Sequence, residues 1–111
     1  MTFIRKKKKT FKWPVVVREP SDTKIGEYDE NYFVGIFNRL DRDQYEKTLS
    51  LNDEFKMLKQ MIVGWEDVND ENGNPIEFND RNLKDLQQDT YWLTAVVKSY
   101  TGSLTEEKLK N

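Results

Sequence analysis

The densest cluster of chemistry-bearing side chains is Asp67, Asn69, Asp70, Glu71, Asn72 and Asn74, gathered around an Asn-Gly turn. Oxygen ligands on a turn suit a hard cation such as calcium. The spacing fails the calcium-loop template in both plausible registers. Counted from Asp67, the required glycine falls on Asn72 and the bidentate acid on Phe78; counted from Asp70, they fall on Pro75 and Arg81. A polar hairpin turn is the simpler reading, and no metal site is expected. Carboxylate pairs for acid–base catalysis need a cleft that dehydrates one partner, yet the acids here sit in polar segments that read as exposed. No Ser or Lys lies in a nucleophile motif, and Gly26, Gly35, Gly64, Gly73 and Gly102 are too scattered to cradle a phosphate.

The 111 residues include no Cys and no His. Disulfides, zinc knuckles, thiol nucleophiles and imidazole bases are therefore excluded. Neither a catalytic residue nor a cofactor is expected, and composition favours a binding or assembly protein. A chain of this length reads as one domain, with a radius of gyration of about 13 Å if compact.

The net charge of −2 is unevenly divided. Arg5, Lys6, Lys7, Lys8, Lys9 and Lys12 give residues 1–12 a charge of +6 with no acid, which leaves −8 on the remainder. Clustered Lys attracts phosphate through counterion release, so a nucleic-acid contact by this arm is one reading. A solubilising terminus is the other, and the acidic body would repel phosphate. The run is not followed by the 7–15 apolar residues of a signal peptide. No apolar stretch approaches the ~20 residues that span a bilayer, so a soluble, cytoplasmic protein without membrane contact is expected.

The elements that must position any site follow from periodicity. Phe11, Trp13, Val15 and Val17 alternate with Lys12, Pro14, Val16 and Arg18, which predicts a strand; Pro14 places it at a sheet edge or pairs it with the proline nitrogen facing outward. After a loop over residues 19–27, a second strand is expected from Tyr32 to Leu40, with Tyr32, Val34, Ile36 and Leu40 on one face and Phe33, Gly35 and Phe37 on the other. Both faces are apolar: either the sheet is covered on both sides or one face is kept for a partner. Asp41 and Gln44 form a capping box for a helix to about Leu49 that buries Tyr45 and Leu49. A second helix, capped near Asp53, carries Phe55, Met57, Leu58, Met61 and Ile62 and ends at Gly64. A small hairpin or tight loop follows around Asn72 and Gly73. Asn79 or Asp80 then caps a third helix through Leu83 and Leu86, and Asp89 or Thr90 a fourth carrying Trp92, Leu93, Val96, Val97 and Tyr100, closed by Gly102. Trp65 and Trp92 read as core. The expected fold is α+β, a small antiparallel N-terminal sheet packed with about four short helices. Its limits are a basic arm over 1–10, one domain over 11–102 and a polar tail over 103–111.

The order of these signals resembles the small tail assembly chaperones of long-tailed bacteriophages. The resemblance is carried by Phe11, Trp13, Pro14 and Val15, by the strand from Phe33 to Leu40 running into an acidic helix cap, and by Val63, Gly64 and Trp65 before an acidic Gly turn. Pro75, Phe78, Asn79, Asn82 and Leu83 complete it. It implies a non-catalytic protein in the cytoplasm of the infected bacterium that coats the tape measure protein, keeps it soluble and recruits tail tube subunits, and that is missing from the mature virion. Self-association stays open. A chaperone of this kind needs surplus apolar surface, and Phe33 and Phe37, with Tyr32 and Trp13 as neighbours, are the candidate partner-binding residues. The competing readings are a nucleic-acid-binding accessory protein using the basic arm and a minor structural tail or head–tail component.

Overall fold

Side-chain caps set most of the element boundaries in the computed structural model, which describes residues 1–5 and 7–105. Two long strands, β1 (Thr10–Pro20) and β2 (Tyr28–Asn38), are followed by helices α1 (Arg42–Leu49) and α2 (Glu54–Met61), strand β3 (Ile62–Glu66), and helices α3 (Asp80–Gln87) and α4 (Thr90–Leu104). Asp41 and Gln44 form the expected capping box on α1. Asp53, Asn79 and Asp89 accept from the first-turn amides of α2, α3 and α4. Each cap satisfies amides that the helix itself cannot, an effect of about 1 kcal/mol.

The sheet is antiparallel in the order β1-β2-β3. β1 lies at an edge, as Pro14 requires. The Arg39 amide donates to the Lys9 carbonyl at 2.8 Å and the Ser21 amide to the Glu27 carbonyl at 2.8 Å, which fixes the odd-numbered residues as the hydrogen-bonded pairs of the β1/β2 ladder. The even-numbered positions of β1 therefore point their backbone outward. Pro14 and Pro20 both fall there, removing donors from an edge that would otherwise invite another strand.

β3 corrects the expected end of the second helix. α2 stops at Met61, and Ile62 is already extended, so Ile62 to Glu66 pair with β2 instead of prolonging the helix. Gly64 is a strand residue opposite Ile36, not a helix terminator. The register slips between Ile36 and Phe37, leaving Val63 as the extra residue of a bulge. β3 ends where Asp67 turns with φ 66°. Beyond it lies the expected hairpin turn: Asp70 Oδ1 accepts from the amides of Asn72 and Asn74, Gly73 has φ 80°, and the Ile76 amide donates to the Val68 carbonyl at 2.8 Å. Trp65 Nε1 donates to the Ile76 carbonyl at 2.7 Å and ties this turn to the sheet.

Three smaller corrections concern helices. Leu49 is exposed and Thr48 takes the buried position on α1, its hydroxyl satisfied by the Gln44 carbonyl. α4 runs through Gly102 to Leu104. It thus passes the expected domain limit at 102; the tail beyond residue 105 lies outside the described residues.

One face of the sheet carries the core. Val15, Val17, Phe33, Phe37, Ile62 and Trp65 pack with Leu58 and Met61 of α2, Leu83 of α3, and Trp92, Ala95, Val96 and Tyr100 of α4. Rings join strand to helix: Phe33 stacks on Trp92 at 5.9 Å, and Phe37 meets Tyr100 at 5.5 Å. The distal hairpin, residues 17–31, reaches past the end of β3. The radius of gyration is 15.2 Å, with extents of 49 × 35 × 27 Å, above the value for a compact chain of this length.

Gly35 is demanded by packing. A Cβ there would sit 2.5 Å from the Phe37 ring, which is fully buried. At Gly64 the nearest atom is the tip of Ile36, at 3.1 Å, on a less crowded side. In urea unfolding, Gly35→Ala is expected to cost about 1–3 kcal/mol, whereas Gly64→Ala changes stability by less than about 1 kcal/mol.

Burial raises the Tyr100 phenol above its ordinary pKa of 10.0, and its hydroxyl donates to the Asn38 carbonyl at 3.2 Å. Above that pH the unfolded chain loses this proton while the folded chain keeps it. The contribution is therefore complete below about pH 10 and is lost as pH climbs through the folded-state value. Tyr100→Phe should cost about 1 kcal/mol at neutral pH. Its melting temperature should then fall less steeply than the parent's as pH rises above about 10.

Candidate partner-binding surface

Alternation along β2 decides what the molecule buries and what it shows. Phe33, Gly35 and Phe37 point to the helices; Tyr32, Val34 and Ile36 point to the opposite face. Phe33 is 6% exposed and Phe37 is fully buried, so the expectation that these two form a docking surface is corrected: they are core. The reason lies in α4. Trp92 and Tyr100 present two large rings at the spacing of Phe33 and Phe37, and burying four aromatics together outweighs covering Val34 and Ile36.

Trp13 is likewise on the helix side, opposite Gly35, and half-buried. It lines a groove of about 450 Å³ with Phe11, Leu40, Tyr100 and Leu104 near the end of α4. Tyr32, 48% exposed, is the only one of the four candidates on the other face. The four residues thus do not form one surface.

The opposite face is built from Pro14 and Val16 on β1, Tyr32, Val34 and Ile36 on β2, and Gly64 on β3. Val16 is buried and lines a cavity with Tyr91, Thr94, Ala95 and Lys98 of α4, so the part left without a helix is the strip along β2. Val34 and Ile36 are half-buried at its centre. Lys12 and Glu66 reach across it to pair at 2.6 Å. Both ends of this ion pair are largely solvated, so it adds at most about 1 kcal/mol to stability. Its effect is to frame an apolar strip with opposite charges. Gly64 keeps the strip flat on the β3 side, since any side chain there would press on Ile36. The sequence signal for this surface was present as the second apolar face of β2; only its identity was inverted.

Asp70 spends Oδ1 on the turn amides, as the polar-turn reading expects. Ser99 is buried in α4, and its Oγ has no hydrogen-bond partner among the described residues. Among the described residues no three acids converge as a metal site would require. The described part of the basic arm lies beside α1, where Phe3, Arg5, Lys7 and Lys8 border Arg39, Leu40, Asp41 and Gln44. Among the described residues, Arg5, Lys7, Lys8 and Lys9 make no ion pair, whereas Lys12 is paired to Glu66. No described helix is long and apolar enough to cross a membrane.

No protein-family model matches the chain, and no curated protein or solved structure is significantly similar to it.

Proposed function

We propose that this protein is a non-catalytic tail assembly chaperone of a long-tailed bacteriophage. In this reading it acts in the cytoplasm of the infected host, binds the tape measure protein, keeps it soluble, recruits tail tube subunits, and is absent from the finished particle. The observation that supports it most is the uncovered apolar strip of Tyr32, Val34 and Ile36, framed by Lys12 and Glu66. A long helical client exposes apolar stripes, and a flat strip with a charged frame can cover one while its carrier stays soluble. The sequence resemblance adds the identity of the client. The unpaired cations of the basic arm favour a second reading, a nucleic-acid accessory protein. Salt separates the two, because phosphate contacts weaken steeply with ionic strength and apolar contacts do not.

Co-expression with the tape measure protein tests the proposal. Ile36→Ser and Tyr32→Ser should each lower co-purification, with affinity reduced about tenfold for a loss near 1.4 kcal/mol, while melting temperature changes little. Phe37→Ser should instead cost about 3–5 kcal/mol of stability and lose the client only through unfolding. Undiminished capture of the tape measure by the folded Ile36→Ser protein would refute this placement of the binding strip.

A further inference from the structure

The two long edges of the hairpin are unequally protected. On β1, Pro14 and Pro20 occupy outward-facing positions and remove donors. On β2, the even-numbered residues face away from β1. Val34 and Ile36 bond to β3 through this side, but β3 ends at Glu66, and Tyr28, Glu30 and Tyr32 continue the same edge with no partner for their backbone groups among the described residues. No proline interrupts β2. Three consecutive outward amides and carbonyls thus form a template for one more strand of about five residues.

The charge around this edge specifies the occupant. Residues 19–31 contain Glu19, Asp22, Glu27, Asp29 and Glu30 against a single Lys24. Glu30 pairs with Arg18 at 3.7 Å; Glu27 and Asp29 have no ion-pair partner among the described residues. The opposite charge is concentrated in residues 1–9, whose Arg5, Lys7, Lys8 and Lys9 are likewise unpaired and whose Phe3 and Ile4 are 79% and 70% exposed. Phe, Ile and Thr also favour an extended backbone.

The arm cannot serve its own chain. Lys9 is level with Arg39, and along the ladder the open positions begin about 23 Å away at Tyr32 and end about 36 Å away at Tyr28. Eight residues extend to about 28 Å at most. An arm that reached this edge in its own molecule would have no residues left to pair with it. We infer that the basic arm, residues 1–8, leaves its place beside α1 and adds as a strand to the open β2 edge of a second copy, and that two copies exchange arms reciprocally to close a two-fold dimer.

Sedimentation and amide hydrogen exchange test this together. The full chain should sediment as a dimer at low salt, with slowly exchanging Glu30 and Tyr32 amides. Its dissociation constant should rise on the order of tenfold or more as salt contracts the screening length. Removal of residues 1–8 should give a monomer of unchanged melting temperature in which these two amides exchange fast, and adding a synthetic peptide of residues 1–9 should slow them again. The paired charge reversals Glu27→Lys and Asp29→Lys should also give a folded monomer. A monomeric full chain, a dimer that survives removal of the arm, or equal exchange of Glu30 and Tyr32 with and without the arm would each overturn the inference.

Discussion

Two ring contacts between β2 and α4 decide the architecture. From Trp92 to Tyr100 a helix rises about 12 Å, and from Phe33 to Phe37 a strand advances about 13 Å. The two spacings match, so one helix can seat a ring on each phenylalanine, and it does. Around the first contact, Trp65 meets Trp92 edge-on at 6.0 Å and Phe78 at 4.7 Å, which brings β3 and the turn beyond it into the core. Around the second, Phe11 stacks on Phe37 at 5.8 Å and Tyr45 on Tyr100 at 6.1 Å, which brings in the start of β1 and α1. Gly35, between the two phenylalanines, leaves room for the Phe37 ring.

Committing those rings to one side of the sheet has a consequence on the other. β2 is apolar on both faces, and the helices pack on its Phe side, α4 reaching the other face only at Val16, Arg18 and Tyr28. Val34, Ile36 and Tyr32 therefore remain on a face held flat by Gly64 and framed by Lys12 and Glu66. The same economy leaves the distal hairpin as a two-stranded projection with one edge guarded by prolines and the other open. Surplus apolar surface and an open strand edge on so highly charged a chain are what the proposed binding role would use.

Local signals were legible in the sequence, and choices between competing packings were not. The caps at Asp41, Asp53, Asn79 and Asp89 are read directly because a side chain bonds to its own first turn. The edge position of β1 follows from the missing amide of Pro14, and the turn at Asn72 and Gly73 from its own backbone demands. By contrast, alternation shows that β2 has two apolar faces but carries no information on which one α4 will cover; that depends on ring spacing along a helix more than fifty residues away. β3 was hidden for a related reason. Ile62 continues the apolar stripe of α2, so the helical period runs on past the point where pairing with β2 takes over, and Gly64 resembles a helix terminator until its place opposite Ile36 is known. Similarly, Leu49 was read as buried by type, whereas Thr48 fits that site because its hydroxyl bonds back to Gln44.

The central claim is that partner binding belongs to the face of β2 that α4 does not cover. Methyl-resolved spectra of the protein titrated with tape measure segments address it directly. Resonances of Val34 and Ile36 should shift and broaden on binding, while those of Val15, Val17 and Leu58 on the covered side stay in place. Saturable binding that leaves Val34 and Ile36 unmoved would contradict the account.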